Sequence, residues 1–380
     1  MTTTKDDPTP DPHLSGEGKG KTILLCAGGT GGHLFPAEAL ATVLNKRGVA
    51  VELATDKRVA QFKFPAEAVH LITSGTVRGR NPISLLRTAA ALGFGTGEAI
   101  ALIGRIKPAA VVGFGGYPTV PPLLAAALRR VPTILHEQNG VMGRANRLLA
   151  SLVTAIATGF PNLKNLNRRL QAKVTFTGNP VRPQVLDVSA IPYAARTPDG
   201  TFNLLVFGGS QGARVMSEIV PAAIERLDNG MRGRLNIVQQ ARGEDLDSVK
   251  REYERLGVAH ECAAFFSDLP ARIAAAHLIV SRSGASTVAE LSAIGRPAIL
   301  VPLPHALDQD QLANASVLEA AGGAITIAQR EFTPERVASE LTRLAADPAK
   351  LAAMAAAAKS CGTLDAAERL ADVVMRVAGI

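Results

Sequence analysis

The residues best placed for chemistry sit in glycine-rich turns. Ala27-Gly28-Gly29-Thr30-Gly31-Gly32-His33 follows the apolar run Thr22–Cys26 and precedes Leu34–Leu40, which has helical spacing. Four glycines in a strand-to-helix turn let bare backbone N–H groups approach an anion, and the helix N-terminus behind them adds partial positive charge. His33 closes the turn where a phosphorylated or sugar substrate would sit, and imidazole is the side chain that exchanges protons near neutral pH. A second copy follows: Asn203–Phe207 leads into Gly208-Gly209-Ser210-Gln211-Gly212-Ala213-Arg214 and then a helical pattern through Met216, Ile219 and Val220. The offset of 180 residues from Gly28 to Gly208 points to two α/β halves of similar plan.

Four more clusters follow apolar runs or close a half. Gly113-Phe114-Gly115-Gly116-Tyr117-Pro118 is a third glycine turn, suited to another anion or simply to a tight reversal. His136-Glu137-Gln138-Asn139 sets four polar side chains after a strand; it reads as a site, the alternative being that Asn139 caps a helix over 142–149. Arg182, between Pro180 and Pro183, has a restricted backbone that would aim its guanidinium at a phosphate, or it is one more solvated hinge arginine. In Ser281–Glu290, Ser283 or a neighbour is expected to cap a helix whose free N–H groups face a phosphate. Glu290 either meets ribose hydroxyls or complements the helix dipole. Asp308/Asp310 and Asp245/Asp247 spell an acid-x-acid pattern, a weak metal signal. No Walker lysine follows either turn, 28–33 is not GxGxxG, and no metal ligand set is read from the sequence.

These residues need a scaffold that gathers them. Apolar runs at 50–55, 69–72, 109–114 and 133–136 alternate with helical patterns, as do runs at 235–239, 278–280 and 298–301 in the second half. That alternation predicts parallel sheets, whose ligands bind at the carboxyl ends of the strands. His33, 113–117 and 136–139 are therefore expected to face one crevice. Alanine-rich helices are expected over 334–359, then a last helix over 364–377 that crosses back to the first half.

At 380 residues, 47% hydrophobic and 19% charged, the chain is long enough for two buried cores. The net charge of +8 invites an anionic partner. With no Trp, 4% aromatics and no dense Lys/Arg run, nucleic acid is disfavoured against phosphorylated small molecules or a membrane surface. Cys26, Cys262 and Cys361 suit a reducing compartment. Residues 1–20 read as a disordered tail without a signal-peptide core, and no uncharged apolar stretch reaches the ~20 residues of a membrane helix.

In this order, GGTGGHLFPA (28–37), GFGGY (113–117), HEQNGVMGRANRLLA (136–150), GNPVR (178–182), GGSQGA (208–213), SRSGASTVAE (281–290) and DQDQLANA (308–315) resemble the MurG family. Its members are bacterial glycosyltransferases that add N-acetylglucosamine to lipid I, giving lipid II for peptidoglycan. The resemblance implies the α/β GT-B fold, two Rossmann-like domains facing a cleft. It implies a first domain at 21–182 for acceptor and membrane, a linker at 183–200 and a UDP-sugar domain at 201–362, with helix 363–380 packing back on the first. Carried over by position, Thr30, Gly31, Gly32, Asn139, Arg182, Ser210, Ala285, Ser286, Thr287, Val288, Ala289, Glu290 and Gln311 match donor contacts. Phe266 matches a position whose backbone reads uracil, though an aliphatic residue is more usual there. Asp310 stands where relatives often carry His or Gln, and Pro118-Thr119-Val120 departs from the common pattern. Gly115, Gly116 and Tyr117 fall on the acceptor side.

The implied reaction is a direct inverting displacement. His33 is the expected base; His136 is its rival, or a group that orients the acceptor. Arg182, Ser210 and the second glycine turn would neutralise the departing diphosphate. No tightly bound cofactor is implied, and a divalent cation is allowed without being required. The implied partners are UDP-N-acetylglucosamine, lipid I, an anionic membrane surface and other cell-wall enzymes, at the cytoplasmic face of the inner membrane. Arg78, Arg80 and Arg87 among Ile83, Leu85, Leu86, Leu92 and Phe94 offer a basic, apolar contact with lipid, or else an ordinary helix with an apolar core face. The alternatives are the same fold acting on another lipid or a small-molecule acceptor, and a UDP-sugar epimerase.

Overall fold

A computed structural model describes residues 22–28, 31–56, 63–75, 82–197, 199–209, 212–304 and 309–380. The first half runs β1 (Ile23–Cys26), α1 (Gly31–Lys46), β2 (Val51–Thr55), β3 (Ala68–Leu71), α2 (Pro82–Ile106), β4 (Ala110–Gly113), α3 (Val120–Leu128), β5 (Thr133–Glu137), α4 (Arg144–Leu149), β6 (Ala155–Thr158) and β7 (Val174–Phe176). All its pairings are parallel, in the order β3-β2-β1-β4-β5-β6-β7. Helix α5 (Pro183–Ser189) follows.

The second half runs β8 (Phe202–Phe207), α6 (Arg214–Glu225), α7 (Asn229–Arg232), β9 (Leu235–Gln240), α8 (Leu246–Arg255), β10 (Ala259–Ala263), α9 (Leu269–Ala275), β11 (Leu278–Ser281), α10 (Ala285–Ile294), β12 (Ala298–Leu300), α11 (Asp310–Ala321), β13 (Ala324–Thr326), α12 (Pro334–Ala345), α13 (Pro348–Ser360) and α14 (Ala366–Ala378). Its sheet is parallel throughout, in the order β10-β9-β8-β11-β12-β13.

Why the glycine turns meet follows from this order. In each sheet the chain starts at a central strand, winds outward, then restarts on the other side. The strands flanking the reversal leave a crevice at their carboxyl ends. In the first sheet those strands are β1 and β4, with Cys26 opposite Gly113, so Gly28 comes to lie beside the 114–118 segment. In the second they are β8 and β11, with Phe207 opposite Ser281, which sets Gly208 and Arg282 at neighbouring strand ends. Both faces of each sheet are covered. Leu25, Leu40, Val112 and Leu370 lie in one core cluster of the first half, and Leu24, Leu102, Leu135 and Leu149 in another.

The segment 183–200, expected as a bare connector, is anchored to the second half. Its helix α5 packs on α9 and α10. Buried Arg296 donates to the carbonyls of Ile191 and Pro192 at 3.3 and 3.2 Å, and Lys359 Nζ donates to those of Ser189 and Ala293 at 2.6 and 2.5 Å. Pro183 opens that helix at its first position. The free crossing is shorter and lies just before it. Gly178 has φ +81°, and a Cβ there would come within 2.7 Å of Thr363 on the return path to α14. The two chain crossings therefore touch. Beyond them α14 packs against α1, and Arg47 pairs with Asp372 at 2.6 Å.

Candidate active site

A cleft of about 700 Å³ lies between the two halves. Gly31, Gly32, His33, Asn139 and Arg182 line it from the first half, with Phe35 and Gln138 beside them. From the second half come Gly208, Gly209, Gly212, Phe266, Ala285, Ser286, Thr287, Glu290 and Gln311. Thr30 and Ser210 lie outside the described residues, as do Arg78, Arg80 and Asp308. Val288 is buried in the core and Ala289 packs against it, because on α10 they point away from the cleft. Gly115, Gly116 and Tyr117 do not line the cleft; the two glycines flank His33 from the other side.

Helices α1, α6 and α10 are among those that begin at this cleft. Helix α1 starts at Gly31, so His33 belongs to its first turn. Helices α6 and α10 start after Ala213 and Gly284, neither of which bonds back through a side chain. Their first-turn N–H groups are uncommitted within the helix and carry the positive end of the dipole. A diphosphate held here meets that partial charge from both halves. Ser283, expected to cap α10, instead donates its hydroxyl to the Gln311 carbonyl at 2.8 Å. Among the described residues no group of three or more His, Cys, Asp and Glu gathers to hold a metal ion.

Arg182 opens α5 in an extended backbone (φ −61°, ψ 151°) ahead of Pro183. Its Nε and Nη2 both donate to Glu290 Oε1, at 3.0 and 2.8 Å, and its guanidinium lies 4.4 Å from the Phe35 ring centroid. Burial raises the Glu290 pKa and the Arg182 charge opposes that rise. Two of five N–H groups are thus used to aim the fork, and the others remain for an anion. The pair also spans the two halves.

The strand-end cluster 136–139 resolves into distinct roles. Glu137 is buried; its carboxylate accepts from the backbone N–H groups of Asn139 and Gly143 and from the side-chain amides of Asn139 and Asn146. Burial raises its pKa against those bonds. It ties the loop into shape. Asn139 caps no helix: α4 starts after Gly143, without a side-chain cap. Instead Asn139 Oδ1 accepts from Asn314 Nδ2 at 3.0 Å, and Asn314 Oδ1 accepts from the Gly140 N–H at 2.8 Å. Asn314, on α11 and fully buried, also donates to the Ser283 carbonyl, joining the halves. It lay in the DQDQLANA string with no role attached, and only tertiary structure reveals the joint.

His33 Nδ1 is 3.1 Å from Gln138 Oε1. A Cβ on Gly116 would sit 3.6 Å from His33 Nε2, so this nitrogen faces the 115–116 turn. His136 is placed differently. It is fully buried, does not line the cleft, and both ring nitrogens are engaged, Nδ1 by Gln138 Nε2 at 3.0 Å and Nε2 by the Gly178 carbonyl at 3.2 Å. As a rival base it has neither access nor a free lone pair.

Burial pushes the His136 pKa down to about 4, with the Gly178 bond opposing and the His33 charge adding. The unfolded chain therefore binds a proton below about pH 6.5 that the folded protein refuses until about pH 4. This stabilisation is complete above the upper value and fades as pH falls to the lower, by on the order of 3 kcal/mol. Denaturant titration of wild type and His136→Gln, each at about pH 7 and pH 4.5, is expected to show a smaller acid-induced loss in the variant. Equal losses in both would remove His136 from the acid sensitivity.

Comparisons with known proteins identify the family. Residues 23–158 match the glycosyltransferase family 28 N-terminal domain and residues 203–370 the family 28 C-terminal domain. A protein of Rhodopseudomonas palustris named UDP-N-acetylglucosamine--N-acetylmuramyl-(pentapeptide) pyrophosphoryl-undecaprenol N-acetylglucosamine transferase is 61% identical over 360 residues, covering 94% of this chain and 98% of that one. A Methylobacterium radiotolerans protein of the same name is 59% identical over 360 residues, with 94% and 98% covered. The crystal structure of Acinetobacter baumannii MurG superposes with a TM-score of 0.75 at 28% identity, covering 94% of this chain and 99% of that one. With both halves matched and such identity along nearly its whole length, the chain belongs to the MurG family of glycosyltransferases.

Proposed function

We propose that the chain transfers N-acetylglucosamine from its UDP ester to the 4-hydroxyl of the muramyl sugar of lipid I, making lipid II, with inversion at the anomeric carbon. The observation that carries the mechanism is the cleft itself. The N-termini of α1, α6 and α10 and Arg182 converge on it, and His33 lies between the donor side and the glycine turn at 115–116. Residues 201–362 hold the donor and 21–182 the acceptor. The acceptor hydroxyl loses its proton to His33 Nε2 as its oxygen bonds to the anomeric carbon. The bond from that carbon to the β-phosphate oxygen breaks, and UDP leaves with its charge against Arg182 and the amides that open α6 and α10. Glu290, already aligned by Arg182, meets the donor's ribose.

Offering labelled UDP-N-acetylglucosamine with lipid I, with other undecaprenyl lipids, and alone tests the reading. Label on lipid I only is expected. Label on other acceptors, or an epimerised sugar without acceptor, would replace it with the alternatives named above.

Association with the cytoplasmic face of the membrane belongs to the same proposal. Arg87–Ile106 of α2 has a mean hydropathy of 1.3, long and apolar enough by composition to cross a bilayer. Yet α2 packs on α3, with Ala99, Leu102 and Ile103 in the core. Its Phe94 points outward at 65% exposure, as does Leu128 at the end of α3 at 71%. Phe94 lies two turns along α2 from Arg87 on the same side of the helix, and an exposed aromatic near a cation suits adsorption to anionic lipid. Neutralising Arg78, Arg80 and Arg87 is expected to weaken co-sedimentation with anionic vesicles and to leave UDP binding intact. Unchanged sedimentation would move the contact elsewhere.

A further inference from the structure

We propose that Gln138 is a positioning residue that holds His33 with its proton on Nδ1 and its lone pair on Nε2, and that His136 in turn holds Gln138. The inference rests on His33 being the base, and it adds what makes the correct nitrogen basic.

The hydrogen-bond donors and acceptors admit one solution. One atom of the Gln138 amide lies 3.1 Å from the His136 carbonyl oxygen, which can only accept, so that atom is the NH2 nitrogen. The same nitrogen is 3.0 Å from His136 Nδ1, which therefore accepts. The His136 proton must then sit on Nε2, where it is donated to the Gly178 carbonyl at 3.2 Å. Its depressed pKa, about 4, keeps this ring neutral at working pH. With its nitrogen fixed, Gln138 presents Oε1 to His33 Nδ1 at 3.1 Å, and an amide oxygen demands an N–H there. Neutral His33 consequently carries its lone pair on Nε2, beside Gly116. Neutral histidine in water favours the opposite tautomer, so the chain of bonds changes the outcome.

Burial makes the chain rigid. Gln138 is 2% exposed and His136 fully buried. The last carbonyl belongs to Gly178, at the crossing between halves that touches Thr363. The relay thus starts at a close-packed glycine with positive φ and ends at the cleft.

The test uses full-length protein labelled with 15N-histidine, with His33 assigned by difference from His33→Asn. Wild type is expected to show a pyrrole-type Nδ1 and a pyridine-type Nε2. In Gln138→Leu the pattern is expected to average or reverse, and kcat to fall about tenfold to a hundredfold, the usual effect of removing a group that orients another. KM for UDP-N-acetylglucosamine should stay within about twofold, since the donor contacts are untouched. Gln138→Glu, whose protonated carboxyl keeps the C=O for His33 and supplies one O–H donor in place of the two N–H groups facing His136, should restore part of the rate on the acid side of the pH profile. A proton on Nε2 in wild type, or an unchanged tautomer in Gln138→Leu, would overturn the inference. Full activity in His33→Ala would instead defeat the base assignment and leave the tautomer result standing.

Discussion

Replacing His33 by alanine is expected to lower kcat by about 10²–10⁴-fold, with KM for UDP-N-acetylglucosamine nearly unchanged. The side chain is half-buried in the first turn of α1 and hydrogen-bonded to Gln138, so its removal should not unfold the helix. In the proposed reading the donor is held chiefly by the other half, hence the split between kcat and KM. Removing a base that acts only as the hydroxyl attacks is a loss of transition-state stabilisation alone. Steady-state kinetics with saturating lipid I measure both effects. A variant whose KM rises while kcat holds would make His33 a binding residue.

Arg182→Ala should fail in two ways. The first is chemical: losing one preorganised cation at a developing diphosphate charge costs about 10²–10³-fold in kcat/KM. The second is structural. The side chains of Arg182 and Glu290 are 16% and 7% exposed, and removing one partner of so buried a pair costs about 3–5 kcal/mol, because the other is left uncompensated. The sign of the pH dependence follows from Glu290. Burial already raises its pKa against the opposing Arg182 charge, so without Arg182 it rises further. A folded carboxyl that binds its proton more tightly than the unfolded one contributes stability below the unfolded value of about 4.3, lost as pH rises through the folded value. Arg182→Ala should therefore be least stable toward neutral pH and partly recover in acid. Arg182→Ala/Glu290→Gln should recover at every pH, since no charge remains to strand. Chemical denaturation near pH 5 and pH 8 distinguishes these. An equal deficit at both would mean that the pair is not the source.

Much of this site was legible in the sequence because its parts are local. Gly31–His33 and Gly208–Gly212 announce themselves by glycine after an apolar run, and the 180-residue offset announces the duplication. Parallel topology then puts the strand ends together without further information. The connecting strands were harder. β6, β7, β10 and β13 went unread: Ala-Ile-Ala-Thr is too small in apolar volume to stand out. β7, β10 and β13 are edge strands, short or half-exposed, with little alternation to detect.

Partnerships across long separations were invisible. Nothing near Glu290 indicates that Arg182, 108 residues away, will bond to it. Asn314 bonds across 174 residues to Gly140. His136 looked like a second base because it ends a strand beside the cleft. Strand β5, however, lies between β4 and β6, and its residues alternate between faces, so that side chain points into the protein under Gly178. Phe266 was singled out for its backbone; its ring is 7% exposed with the Arg272 guanidinium 4.1 Å from its centroid, and its neighbour Phe265, at 68% exposure, lines the cleft with it.

The central claim is that pyrophosphate chemistry takes place between two duplicated halves, the donor on one and the base on the other. Crystals grown with UDP-N-acetylglucosamine test it most directly. The account predicts the diphosphate against Gly208–Gly212 and the start of α10, the ribose at Glu290, and the anomeric carbon open toward His33 Nε2. A nucleotide seated on the 28–32 turn of the first half, or a sugar turned away from His33, would contradict it.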